Sequence, residues 1–514
     1  MVTRITGLAS GMDIESMVKK LMTAESEPLN KMNATKQLME WKREGYREIS
    51  SKLVTLAQTK ITDLFSKASS LNAQTTKVSG NTSAITAKAG STASGVMDIN
   101  VTNLATAAKT VSTGAPTMKN GSTPSDWGSV KLTDIDGISI DSTTGGTITI
   151  AGQPISVTES DTLSSLVSKI NANSKTGVSA VYDSASGKIS LTSRSTGSAG
   201  NSISFSDNSG IFSSLNLTAA FTGGDDAKIS VNGLDMTQSS NSFMLNGVEL
   251  TLNGVTNGTA VHIEAIKDTD KIVENIKGFV DAYNDILGSL NSKLGEERYR
   301  SYTPLTSEQK SEMSETEVTQ WTEKAKSGML RNDSLIESTV SQLRTAMMEG
   351  VKLSTPITIN GETVDKIDMS YLGITTGTWD TKGKLVFNED KFKAALDENP
   401  DIVNQYFGQN FSSSFSNNTY TETDGIFARI KKISTGALAS LSSTAGTSKV
   451  SSDLTTSFNA SSTMGETLRL LNIQISDFQA KLNKKETNYY KKFSAMETAI
   501  NKYNNISSSL SSYM

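Results

Sequence analysis

The chain has no cysteine and a single histidine, His262, in 514 residues. These absences exclude disulfides, thiolate nucleophiles and Cys/His zinc sites together. They leave the compartment open, since moving from a reducing to an oxidising space would change no covalent bond. Aromatic residues make up only 6% of the chain, and no proline follows Pro400. An excess of charge is missing too: 49 basic against 53 acidic side chains give a net charge of −4. Such a balance provides no basis for a nucleic-acid or membrane-surface partner. No run of eighteen apolar residues occurs, so membrane insertion by a helix is not expected. The opening Met1-Val-Thr-Arg-Ile-Thr-Gly7 lacks the apolar stretch of a signal peptide, which reads as a cytosolic chain or one exported without a cleaved signal. Neither a P-loop nor a dinucleotide-binding loop is present. With 36% hydrophobic residues and abundant Ser, Thr, Asn and Gly, the composition suits several small β domains better than one large enzyme core.

What is present is ordered along the chain. Ser10 and Asp13 can cap a short helix with Ile14, Met17, Val18, Leu21 and Met22 on one face. Pro28 then ends that helix or starts the next, which covers about 29–66 with a stripe of Met32, Met39, Tyr46, Ile49, Leu53 and Leu56. After Leu71 the pattern switches to period two, as in Val178–Tyr182 and Ile189–Leu191. Ala151-Gly152, Asn232-Gly233, Asn246-Gly247 and Asn360-Gly361 lie between apolar alternations and predict tight hairpins, because these residues tolerate positive φ. A helix is predicted over Thr162–Asn171. Another begins near 270, with an apolar face from Ile272 to Leu294, and Ser334-x-x-Glu337 reads as a capping box for one ending at Gly350. Asn399-Pro400 starts a short helix carrying Ile402, Val403, Tyr406 and Phe407. Residues 434–464, rich in Ser and Thr, read as a flexible connection or a weakly specified helix.

The last fifty residues carry the strongest period. Steps of three and four give Leu468, Leu471, Ile475, Phe478, Leu482, Lys485, Tyr489, Lys492, Met496, Ala499, Tyr503, Ile506, Leu510 and Tyr513, and only the two lysines are not apolar or aromatic. A 3.5-residue period marks a supercoil seam. A seam needs a partner, and the N-terminal stripe is the comparable one, so the two ends are expected to pair with the β-rich middle inserted between them. Spacing alone does not separate intramolecular packing from subunit assembly. Lys485 and Lys492 fit a wet groove, or a point where the partner changes.

Candidate chemistry is thin. Alternation in Val261-His262-Ile263-Glu264 puts the histidine on a solvent-facing strand side, and no nucleophile elbow accompanies it. Asp134-Ile-Asp136-Gly137 and Asp225-Asp226 lack the ligand spacing of a calcium loop and read as turns. The expectation is a non-enzyme without cofactor or metal.

Several blocks resemble the flagellar capping proteins of the hook-associated protein 2 family. They are Gly7-Leu-Ala-Ser-Gly-Met-Asp13 running on to Glu25 and Pro28-Leu29, Phe279–Ile286, Tyr302–Gln309 with Trp321–Asp333, Leu372–Thr376 with Gly383–Leu385, and Tyr490–Glu497. Residues about 148–205 resemble the small repeat of flagellin and hook proteins. The resemblance implies an α+β multidomain fold, with helical coiled-coil-like N- and C-terminal ends pairing as a leg and β-rich head domains between them. The implied domains are a terminal helical domain (1–45 and 465–514), a helix-rich leg (46–76 and 268–464), a β-rich head (77–127 and 225–267) and a second head (128–224). It further implies a homo-oligomeric, pentamer-like ring at the filament tip, outside the cell, that promotes flagellin polymerisation and prevents its loss. The implied partners are flagellin, the hook-associated junction proteins, and the type III export apparatus with its chaperone. An added role in adhesion is compatible with this. Two rivals stay open: another flagellar axial protein, flagellin-like or of the hook–filament junction, and a surface adhesin with a glycan-binding β head.

Overall fold

The computed structural model describes residues 13–359 and 361–511. Ser10, Asn360 and Tyr513 of the expectations above therefore lie outside the described residues. The chain forms two compact units, Met1–Asn72 with Thr269–Met514, and Ala73–Asp268.

In the first unit, Asp13 caps the N-terminal helix Ile14–Val54 by accepting the Ser16 N–H at 2.9 Å. Pro28 does not break this helix, contrary to the sequence expectation. Proline removes one i→i−4 hydrogen bond, but Pro28 and Ala24 are both exposed, so water can serve the freed carbonyl. The helix runs on as a π-helical stretch, Thr55–Phe65. Against it packs the helix Thr269–Gly295, whose Ile272, Ile276, Phe279, Val280, Tyr283, Ile286, Leu287 and Leu290 are buried at the predicted spacing. Phe279 is the hub of an aromatic core, with ring centroids 6.1 Å from Phe65, 5.8 Å from Phe407 and 5.0 Å from Phe427. Ile402, Val403, Tyr406 and Phe407 are fully buried in the short segment after Pro400.

Two local expectations are corrected. The helix Ser334–Met348 is capped by Asp333, one residue before the proposed Ser334 box. Asp333 accepts the Leu335 N–H at 3.2 Å while also holding the Tyr46 hydroxyl at 2.6 Å and Lys42 at 3.1 Å. A carboxylate serving an N-cap and two donors displaces the weaker serine cap. Second, residues 434–464 are not one connection: a helix covers Ile426–Ala445, residues 446–462 are irregular, and the C-terminal helix is Thr463–Ser511.

The helix Ile426–Ala445 is buried on every side from Ile426 to Ser434, including Arg429, Lys431 and Lys432. Periodicity cannot reveal such a helix, because it has no polar face. Its charges are satisfied one by one. Arg429 is fully buried and donates five hydrogen bonds, to the carbonyls of Asp424 (2.7 Å), Ala346 (3.3 Å), Glu349 (2.8 Å), Gly350 (3.1 Å) and Glu422 (2.9 Å). That uses every N–H of the guanidinium. Lys432 pairs with Asp424 at 2.7 Å, and Lys431 donates to Thr62 and to the Ser413 carbonyl.

The second unit holds two β cores. One has a five-stranded sheet in the order Gln74–Gly80, Val261–Lys267, Val96–Asn103, Ala227–Val231, Leu234–Gln238, and a three-stranded sheet of Ser242–Leu245, Val248–Leu252 and Ile85–Ala89. Their inward residues, among them Met97, Ile99, Val101, Ile229, Leu250 and Ile263, form one cluster. The other core joins two three-stranded sheets to the helix Leu163–Ala172, which Thr162 and Ser165 cap reciprocally. The hairpins at Ala151-Gly152, Asn232-Gly233 and Asn246-Gly247 close directly, for example Val231 opposite Leu234, and both residues of each turn have positive φ. This is the handed turn that matches strand twist. Ile359 likewise pairs with Glu362 across the fourth turn.

Replacing Arg429 by Met would strand five carbonyls, two of them at fully buried contacts, and the unfolding free energy is expected to fall by about 3–5 kcal/mol. Arg429→Lys, with three donors, recovers only part. Denaturant midpoints of the full chain measure both; an unchanged midpoint for the Met variant would refute this role.

Candidate assembly interface

The two chain ends do pair, and they run antiparallel. Near the start of the C-terminal helix, Arg43 donates to the carbonyls of Ala445 (2.5 Å) and Asn459 (2.9 Å), and its guanidinium stacks on Phe458 with Arg47 beside it. Eighteen residues earlier on the N-terminal helix, Glu25 meets Lys485 at 2.6 Å and accepts the Tyr489 hydroxyl at 3.1 Å. Lys485, one of the two lysines in the heptad seam, thus has a carboxylate opposite it. Charged pairs at such positions cost little in a wet groove and set register and direction.

The structure divides the seam residues into three groups. Met32 and Met39 are half-buried on the stretch of the N-terminal helix between Glu25 and Arg43. On the C-terminal helix Leu468 and Leu482 are buried, and Leu471, Ile475, Phe478 and Tyr489 are half-buried. Tyr46, Ile49, Leu53 and Leu56 are buried but belong to the core of the leg rather than to the seam. Their stretch is tied elsewhere: Tyr46 to Asp333, Ser50 to Thr447, Ser51 to the Ser452 carbonyl, Lys52 to Ser289. The third group, Met496, Tyr503, Ile506 and Leu510, is exposed among the described residues, with Tyr503 at 72% and Leu510 at 60%. The heptad pattern therefore continues beyond the covered part of the helix.

Sequence reasoning missed Glu25, Arg43 and Asp333. Glu25 and Arg43 sit on an ordinary charged helix surface, and nothing in their spacing marks them. Asp333 had a signal, since Asn332-Asp333 precedes a helix and aspartate is a preferred cap.

The electrostatics follow from these contacts. Hydrogen bonds from Lys485, then from Tyr489, hold the Glu25 carboxyl below its usual range, and Glu25 in turn raises Lys485. Glu25 therefore contributes above the ordinary carboxyl pKa, and that contribution is lost as pH falls through its lowered value. Lys485 contributes below the ordinary ammonium pKa, and that is lost as pH rises through its raised value. Burial, followed by the bond to Asp333, pushes the Tyr46 hydroxyl up. Elsewhere, His262 lies half-exposed with Nδ1 2.7 Å from the Asp98 carboxylate, while Val261 and Ile263 face the core. Among the described residues no cluster of His, Asp or Glu is arranged to hold a metal, and no helix is long and apolar enough to cross a membrane.

The comparisons with known proteins agree with this architecture. The model described as flagellar hook-associated protein 2 C-terminus matches residues 224–505, and its N-terminal counterpart matches residues 10–108. The flagellin hook IN motif matches residues 131–195, beginning earlier than the repeat placed at about 148–205. The flagellar hook-associated protein 2 of Halalkalibacterium halodurans is 30% identical over 548 aligned positions, covering 98% of each chain. That of Escherichia coli K12 is 27% identical over 428 positions, covering 76% of this chain and 77% of the relative. The crystal structure of the flagellar cap protein FliD D1-D2-D3 domains from Escherichia coli superimposes with a TM-score of 0.52 at 23% identity, over 78% of this chain and 96% of that one. This last likeness supports the fold.

Antiparallel pairing is checked by cross-linking, which the cysteine-free chain makes clean. A short bis-maleimide is expected to join Glu25→Cys with Lys485→Cys, and not Glu48→Cys with Lys485→Cys. The reverse pattern would overturn the register. In a pH series, the melting-temperature difference between wild type and Glu25→Gln is expected to persist through the ordinary carboxyl range and to vanish on further acidification through the lowered Glu25 pKa. A difference that persists there would show that the carboxylate charge is not what holds the contact.

Proposed function

This chain belongs to the flagellar hook-associated protein 2 family, and from that premise we propose that it forms a homo-oligomeric ring capping the distal tip of the bacterial flagellar filament. The cap promotes flagellin polymerisation and keeps unpolymerised flagellin from being lost. It acts as a template rather than as an enzyme: a vacant site at the tip receives each emerging subunit, and the ring moves on. Flagellin and the hook-associated junction proteins are its extracellular partners, and the type III export apparatus and a chaperone deliver it. Within this reading the division into a terminal helical domain, a leg and two heads keeps the boundaries given above. The β-rich unit leaves room for an added role in adhesion.

One observation carries the reading. The C-terminal helix keeps its 3.5-residue period past the part that the described residues cover, leaving Met496, Tyr503, Ile506 and Leu510 exposed among them. A helix that presents an interrupted apolar stripe, broken by Lys492, offers a partner helix area without a deep dry core. Moderate area favours exchange, because affinity differences of this kind reside mostly in the dissociation rate. A processive cap needs that exchange; a tight contact would stall it.

Deletion of residues 489–514 is expected to abolish filament growth while flagellin is still secreted as monomer. Electron microscopy of the cells, with an assay for flagellin in the medium, measures both. Normal filaments on the deletion strain would overturn the reading.

A further inference from the structure

Tyr283, on the helix Thr269–Gly295, is fully buried, and its hydroxyl has no hydrogen-bond partner among the described residues. A buried donor without a partner is costly, so its surroundings matter. Tyr283 lines a cavity of about 170 Å³ between its own helix, the helix Ser334–Met348 and the hairpin of Ile374–Thr376 with Leu385–Phe387. One water molecule takes about 30 Å³, so the space suits something larger. Arg344 enters the same cavity, and its charge acts on the Tyr283 hydroxyl. Gly383, at φ +90°, makes room for it: a Cβ there would sit 2.6 Å from the Arg344 Nε. The hairpin is held firmly. The Asn284 side chain accepts the Leu385 N–H at 2.7 Å and donates to the Leu385 carbonyl at 2.9 Å.

The charged and buried polar groups of this cavity are donors in search of an acceptor. A guanidinium offers five N–H groups and accepts nothing. Burial pushes the Tyr283 hydroxyl up, so it keeps its proton and can donate. Arg344, Lys382 and Lys384 form no ion pair among the described residues, and Asp380 is the one acid between Thr376 and Leu385. Three cations against one carboxylate favour an anion. The planar fork of arginine fits a carboxylate through two parallel hydrogen bonds. The other walls are apolar. Met347 and Leu385 are buried beside the cavity, and Trp379, 94% exposed, stands at its edge. A ring so open to water can lie along the apolar body of a ligand.

We propose that Arg344 and Tyr283 bind the carboxylate of a ligand whose apolar body lies against Met347, Leu385 and Trp379. Arg344 makes the forked contact and Tyr283 donates beside it. The carboxylate belongs either to a small free acid or to the end of a peptide chain. The site stands apart from the ring reading, since it needs only one copy of the chain.

Isothermal titration calorimetry of the full chain with benzoate, and with neutral benzamide of the same shape, tests the site. Benzoate is expected to bind saturably, and benzamide at least about tenfold more weakly. Tyr283→Phe removes a hydroxyl that has no protein partner to lose. Its circular-dichroism melt is expected to stay unchanged or rise, while benzoate binds about fivefold or more weakly. Arg344→Gln is expected to bind benzoate and benzamide alike. N-acetylphenylalanine distinguishes the sources: binding as tight as benzoate assigns the site to a chain end, and exclusion assigns it to a small free acid. Absence of saturable benzoate binding, or equal benzoate and benzamide affinities in wild type, overturns the proposal. So does a benzoate affinity that Tyr283→Phe and Arg344→Gln leave unchanged, which would place the anion elsewhere.

Discussion

A buried guanidinium must give every N–H an acceptor, and Arg429 does so with five backbone carbonyls. Those carbonyls belong to the C-terminal turn of Ser334–Met348, the residues just before Val351–Ile359, and the loop ahead of Ile426. One side chain thus fastens its own preceding loop to a stretch about eighty residues earlier in the sequence. Around it, Lys432–Asp424 and Lys431–Thr62 satisfy the remaining charge, and the aromatic set centred on Phe279 fills the apolar space. A helix surrounded on all sides can serve as the axis of the first unit because its polar groups never need water. Burial lowers the pKa of Arg429, yet arginine stays charged across any accessible pH, so this fastening does not titrate away.

That permanence contrasts with the pairing of the chain ends. One continuous N-terminal helix takes part in both regimes. Its later part, with Tyr46, Ile49 and Leu53, is locked into the leg core. Its earlier part lies along the C-terminal helix through half-buried methionines and the exposed Glu25–Lys485–Tyr489 contact. Surface ion pairs of this kind add little stability and are screened by salt, but they discriminate strongly against a wrong register. A rigid base with a specific, weakly held arm suits a protein whose proposed task is to hold partners and release them.

Much of the architecture was legible where one local rule dominates. Asn-Gly and Ala-Gly turns marked hairpins because few residues adopt positive φ cheaply, and the strands on either side alternate cleanly. The helix Thr269–Gly295 was legible because one face is buried and the other wet. The helix Ile426–Ala445 was not, since uniform burial erases amphipathic period and its three cations look like surface residues. The capping site before Ser334 was misplaced for a related reason. The choice between Asp333 and Ser334 depended on Tyr46 and Lys42, nearly three hundred residues away. The family blocks located the chain in its family.

By itself the sequence determined the class of the protein: no disulfide, thiolate or Cys/His zinc chemistry, helices at both ends, hairpins between, and a C-terminal stripe with a 3.5-residue period. These follow from residue identity and short-range spacing, which tertiary context cannot change. Only the tertiary structure decided that the ends run antiparallel, that the N-terminal stripe serves a core and a seam in succession, and where the covered part of the C-terminal helix stops. A heptad states that a helix has a partner, but not its direction or length. Those depend on where Glu25 meets Lys485, on the loop that brings Asn459 to Arg43, and on how far the covering helix reaches.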